Sequence, residues 1–136
     1  MMISNPTLLI VDDESSIRTA LSHVFTELGY SVRSASDGFS ALGLIQELAP
    51  QVLLSDLNMP GMSGFELLSV VRRVYPAIFV IATSGSFSGK SVPYGIAADA
   101  FYEKATGLSF LFDVIKQATQ SDWGLADHRT GQCRYG

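Results

Sequence analysis

The sequence predicts a single α/β domain built on a doubly wound parallel sheet, and three observations predict it. Short apolar, β-branched runs alternate with stretches whose apolar residues recur at helical spacing, as strand–helix units do. The strand-like runs are apolar at successive positions rather than at alternate ones, so helices must cover both faces of the sheet. The chain has 136 residues, 47% of them hydrophobic, which is enough for one core of this kind.

The first strand is Thr7–Val11 (TLLIV). Ile17, Ala20, Leu21, Val24, Phe25 and Leu28 then mark one helical face, and Gly29 is the stop signal. Tyr30–Ala35 is a weaker second strand. Asp37 is placed to cap a helix that carries Ala41, Leu42, Ile45 and Leu48 on one face and is closed by Pro50. Val52–Ser55 reads as a buried strand ending at Asp56. Phe65–Tyr75 is helical, with Pro76 behind it. Ile78–Ala82 (IFVIA) is the most hydrophobic strand and Ala100–Glu103 a short fifth one. Leu108, Leu111, Phe112, Ile115 and Ala118 form the face of the last helix.

One unit breaks the pattern. Between the fourth and fifth strands, SGSFSGKSVPYGIAAD holds three glycines and Pro93. Proline removes a donor and clashes inside a helix, and each interior glycine costs about 1 kcal/mol relative to alanine. The fourth helix is therefore expected to be shortened or irregular. The domain is expected over 4–121, with 122–136 a C-terminal tail lacking any apolar period.

Composition excludes several classes. Nine Lys and Arg against thirteen Asp and Glu leave a net charge of −4, too little charge and too much hydrophobicity for a disordered chain. No apolar run approaches the roughly 18 residues of a membrane helix. The N-terminus has no Lys or Arg ahead of its apolar stretch, so it does not read as a signal peptide. An acidic balance supplies no general attraction to nucleic acid, and direct nucleic-acid binding is not expected. Cys133 is the single cysteine and has no internal disulfide partner, which fits a cytoplasmic protein.

The polar residues gather at strand ends, where open α/β sheets bind ligands. Asp12, Asp13 and Glu14 follow the first strand, Asp56 ends the third, Thr83 and Ser84 follow the fourth, and Lys104 follows the fifth. Crowded carboxylates repel unless a cation sits among them. A hard divalent ion such as Mg²⁺ takes oxygen ligands and keeps positions open for phosphate oxygens. A carboxylate can itself become an acyl phosphate, with a lysine ammonium and a serine hydroxyl donating to the phosphate oxygens. The set is coherent for phosphoryl transfer to an aspartate. The plainer alternatives are helix-capping roles for Asp12 and Asp13 and a turn role for Ser84.

On these residues the chain resembles the receiver domain of two-component response regulators. The resemblance is carried by Asp12-Asp13, by the block DLNMPGMSG from Asp56 to Gly64, by Ser84-Gly85, and by Lys104 with Phe101 three residues before it. It covers about 4–121 and implies a flavodoxin-like, five-stranded sheet of order 2-1-3-4-5. It implies Asp56 as phosphoacceptor, with Asp13 a direct Mg²⁺ ligand, Asp12 close by, and Asp56 and the Asn58 backbone carbonyl completing the metal set. It implies that Lys104 pairs with Asp56, that Ser84 moves to the phosphoryl group, and that Phe101 repacks with it. Asn58 and Ser86 stand where the family tunes the access of water. The implied partners are a histidine kinase or phosphotransfer protein upstream, an unnamed downstream protein, and a second copy in a homodimer, with no membrane. The implied role is a switch that catalyses its own phosphorylation and dephosphorylation rather than a turnover enzyme.

Three departures bear on the output more than on the chemistry. Ala105 stands where the family usually has proline, the Ser84–Lys104 interval is 20 residues, and Phe101 lacks a tyrosine hydroxyl. They leave one rival, a receiver-like interaction module that works without phosphorylation. Two look-alikes fail. Gly85, Gly89, Lys90 and Ser91 fall one residue short of a Walker A loop and run into Pro93. A haloacid-dehalogenase-type phosphatase has a second Asp where this chain has Asn58.

Overall fold

The computed structural model describes residues 5–84, 97–104 and 107–120. The expected strand–helix alternation is present: β1 (Thr7–Val11), α1 (Ser15–Glu27), β2 (Ser31–Ala35), α2 (Gly38–Glu47), β3 (Val52–Asp56), α3 (Gly64–Val74), β4 (Phe79–Ser84), β5 (Ala100–Glu103) and α4 (Ser109–Thr119). All strand pairs are parallel and the order is β2-β1-β3-β4-β5. The stretch expected to hold an irregular fourth helix, 85–96, lies outside the described residues, as do Ala105, Ser86 and the tail from 121 onward.

Strand side chains alternate between two cores. Leu9, Val11, Leu53, Val80 and Ala82 point to one face, where α2 brings Ala41 and Ile45 and α3 brings Leu67, Leu68 and Val71. Leu8, Ile10, Val52, Leu54 and Ile81 point to the other, against Phe25 of α1 and Leu111 and Ile115 of α4. Phe25 anchors this second face through edge-on contacts with Tyr30 and Phe112. Every residue of β3, the central strand, is buried, which is why its sequence shows no polar alternation.

The helix starts follow local chemistry. The Asp37 carboxylate accepts the Ser40 N–H at 2.8 Å and caps α2 as the sequence predicts. At α3 a capping box joins Ser63 and Glu66 through two reciprocal bonds, worth about 1 kcal/mol for such a cap. Three expectations about helix faces are corrected, the first being Ala20, which is exposed within α1. Leu28 and Leu48 are 56% and 59% exposed, although their spacing places them on apolar faces. Each is a C-cap residue, and the backbone of Leu48 is extended, so the helical period no longer sets its direction. Likewise β4 runs on past the apolar residues. Thr83 pairs with Asp56 and Ser84 with Glu103, so backbone pairing continues where hydrophobicity stops. No helix among the described residues is long and apolar enough to cross a membrane.

Candidate functional site

The chain leaves β1 for α1 on one face of the sheet and leaves β3 for α3 on the other. Because β1 and β3 are paired neighbours, the connections leaving their carboxyl ends run to opposite faces, which places a crevice at the point where strand order reverses. Asp12 follows β1 directly, and its N–H still donates to the Ala35 carbonyl of β2 at 3.1 Å. Its Oδ1 accepts the Glu14 N–H at 2.9 Å, and Arg18 of α1 donates to its carbonyl at 2.8 Å. Asp56 is the last residue of β3, and its Oδ1 accepts the Asn58 N–H at 3.2 Å.

Oxygens from the Asp12, Asp13 and Asp56 carboxylates lie within 4.8 Å of one another. Asp12 and Asp56 are only 3% and 4% exposed, while Asp13 faces solvent. Lys104, directly after β5, reaches this cluster from the other side. Its Nζ is 2.8 Å from Asp12 Oδ2, 3.3 Å from Asp56 Oδ2 and 3.8 Å from Glu14 Oε1. Ser84 is fully buried, and its Oγ accepts from Asn58 Nδ2 at 3.1 Å. Phe101 sits one strand away, partly buried against the core under α2 and α3. The fold thus brings Asp12, Asp13, Asp56, Asn58, Ser84 and Lys104 together, with Phe101 packed on the adjoining face. Glu14 and Arg18 are additions. The sequence places Glu14 near the strand end but assigns it no role, and Arg18 looks like any helical arginine one turn further on.

The loop after Asp56 is held close by two glycines. Gly61 has φ of +76°, a left-handed turn that side chains rarely adopt. Gly64 starts α3 directly against the strand it serves. A Cβ there would collide with the Asp56 carbonyl oxygen and lie 2.5 Å from Leu57 Cα. The Gly64 N–H instead donates to the Leu57 carbonyl at 3.2 Å. The final glycine of the DLNMPGMSG block is therefore a spacing requirement behind Asp56.

Burial pushes the Asp56 carboxyl above its ordinary value of 3.8. The Asn58 N–H and the charge of Lys104 oppose this shift, and the charge of Asp12 adds to it. Lys104 is affected first by burial, which lowers it, but its bond to Asp12 and the charges of Asp56 and Asp12 prevail and hold it above 10.5. A carboxyl whose folded value exceeds its unfolded one costs stability when ionised and returns that stability as pH falls through the folded value. Without Mg²⁺, Asp56→Asn is thus expected to raise the melting temperature at about pH 7 and to raise it less at about pH 4. A variant that melts lower than the native chain in metal-free buffer at both pH values would show that the Lys104 pair outweighs burial.

The donor set suits Mg²⁺: hard carboxylate oxygens, two of them buried, one exposed, with solvent access on the Asp13 side. Among the described residues, no histidine or cysteine joins this cluster to favour zinc.

Comparison with known proteins points one way. The family model for the response regulator receiver domain matches residues 8–108. Response regulator RR06 of Streptococcus pneumoniae is 33% identical over 121 residues, which cover 88% of this chain and 56% of RR06. Across eight curated relatives, the matched region covers between 12% and 62% of the relative's own length. Chemotaxis response regulator CheY4 of Vibrio cholerae superposes with a TM-score of 0.75 at 30% identity, over 85% of this chain and 99% of that one. Response regulator TrrA of Thermotoga maritima, solved with Mg²⁺-BeF, superposes at 0.76 with 27% identity over 83% and 98% of the two chains. TrrA in complex with the histidine kinase ThkA superposes at 0.77, with 27% identity over 85% and 99%.

Proposed function

The chain belongs to the response-regulator receiver-domain family, and from that membership we propose that it is a Mg²⁺-dependent switch phosphorylated on Asp56. The observation that carries the reading is the placement of Lys104 Nζ between the buried carboxylates of Asp12 and Asp56, 2.8 and 3.3 Å away. A phosphoryl group arriving on Asp56 meets a lysine already in place, so little reorganisation is needed when charge develops.

In the proposed step a carboxylate oxygen of Asp56 forms the bond to phosphorus. The phosphorus–nitrogen bond of a phosphohistidine donor breaks, and its electron pair leaves with the imidazole nitrogen. Asp12, Asp13, the Asp56 carboxylate and the Asn58 backbone carbonyl would hold Mg²⁺, which supplies neutralisation of phosphate charge. Lys104 follows the charge from the free carboxylate to the phosphoryl oxygens, and Ser84 donates its hydroxyl to them. Phe101 repacks on the side of α2 and α3 and carries the change to the surface. The upstream partner is a histidine kinase or phosphotransfer protein, a reading supported by the ThkA complex of TrrA. The output is a downstream protein or a second copy of the chain, met in the cytoplasm, with no direct contact to nucleic acid. The domain turns over no separate substrate.

Intact mass after incubation with acetyl phosphate and Mg²⁺ tests this. A gain of one phosphoryl group, absent in Asp56→Asn, is expected. No gain with acetyl phosphate or with a phosphorylated kinase domain would leave the phosphorylation-independent module instead. Mg²⁺ is also expected to stabilise the chain, by about 1.4 kcal/mol at ten times its dissociation constant. A melting temperature that ignores millimolar Mg²⁺ would remove the shared metal site.

A further inference from the structure

Four residues at the crevice close a ring. The Asn58 N–H donates to Asp56 Oδ1 at 3.2 Å, and the Asn58 carboxamide Nδ2 donates to Ser84 Oγ at 3.1 Å. The Ser84 carbonyl accepts the Lys104 N–H at 3.1 Å, and Lys104 Nζ returns to Asp56 Oδ2 at 3.3 Å. Each oxygen of the Asp56 carboxylate is therefore connected to Ser84, one through Asn58 and the other through Lys104.

Ser84 is fully buried, so its hydroxyl takes its direction from protein groups rather than from bulk water. A hydroxyl has one proton and two lone pairs. With Nδ2 donating into a lone pair, the Ser84 proton is turned away from Asn58. We infer that the Asn58 carboxamide is a positioning group that keeps the Ser84 hydroxyl oriented as a donor to an anion carried on Asp56. The inference rests on Asp56 as the phosphoacceptor. It adds that Asn58 acts on the anion through Ser84, and not only by shielding Asp56 from water.

Beryllofluoride with Mg²⁺, titrated into the full chain and followed by backbone amide shifts, tests it. Asn58→Ala is expected to weaken beryllofluoride binding about fivefold, the loss of one neutral hydrogen bond. The same factor is expected in a Ser84→Thr background, which keeps the hydroxyl. In a Ser84→Ala background it is expected to vanish. Ser84→Cys, whose sulfur is a weak hydrogen-bonding atom, gives a second background in which the factor is expected to fall below about twofold. An undiminished fivefold factor in the Ala and Cys backgrounds would overturn the inference and leave the function intact. A wild-type chain that binds no beryllofluoride at all would instead overturn the reading of Asp56 itself.

Discussion

Gly64→Ala is expected to destabilise the fold by about 3 kcal/mol, a large effect for one added carbon. The atoms that a Cβ would strike are the Asp56 carbonyl oxygen and Leu57 Cα, both backbone. A flexible side-chain tip could swing aside. Here β3 or the start of α3 must move, and β3 is the central strand, paired to β1 and β4 along its length. Movement at Asp56 also shifts the carboxylate relative to Lys104, so phosphorylation should slow in the variant even at temperatures where it remains folded. Urea denaturation and the initial rate of mass gain with acetyl phosphate check the two effects. A stability loss under about 1 kcal/mol would mean that the loop retreats without strain.

Lys104→Met is expected to reduce the phosphorylation rate about 100-fold, the usual scale for losing one preorganised donor at a developing anion. The same change should cost about 2 kcal/mol of stability in metal-free buffer, since it leaves two buried carboxylates without their cation. The pH dependence follows from the two shifts. Lys104 is held above 10.5, so its contribution is complete at neutral pH and fades only as pH rises through that higher value. Asp56 is raised above 3.8, so its ionised form costs stability at neutral pH and the cost fades as acid protonates it. The deficit of the variant should therefore be largest at about pH 7 and smaller at about pH 4.5. Mg²⁺ should narrow it as well, because the ion supplies replacement charge. A variant that accepts the phosphoryl group as fast as the native chain would remove Lys104 from the chemistry.

Much of the fold can be read from the chain because its signals are local. Strand runs such as TLLIV and VLLSD, and helical faces such as Leu67, Leu68 and Val71, reflect which sides of each element meet the cores. Local periods mislead most at the ends of elements. Leu28 and Leu48 sit just past helix ends, where direction is set by the turn and not by the helix. Thr83 and Ser84 join β4 through partners on β3 and β5, and no local hydrophobic signal reports such pairing. Arg18 was invisible for a similar reason. Its contact with the Asp12 carbonyl depends on how α1 sets off from β1, and nothing in its neighbourhood in the chain marks it.

The α/β alternation and the grouping of acids at strand ends were determined by the sequence alone, since alternation of apolar runs and the position of polar residues after them are properties of short segments. The tertiary structure decided which of these groups meet. Asp12 turned inward onto Lys104 while its neighbour Asp13 stayed in solvent. Asp56 acquired a lysine from two strands away, and Asn58 acquired the Ser84 hydroxyl. Those pairings depend on the order and register of parallel strands that are far apart in the chain, and distances of a few ångströms are settled only when the whole sheet closes.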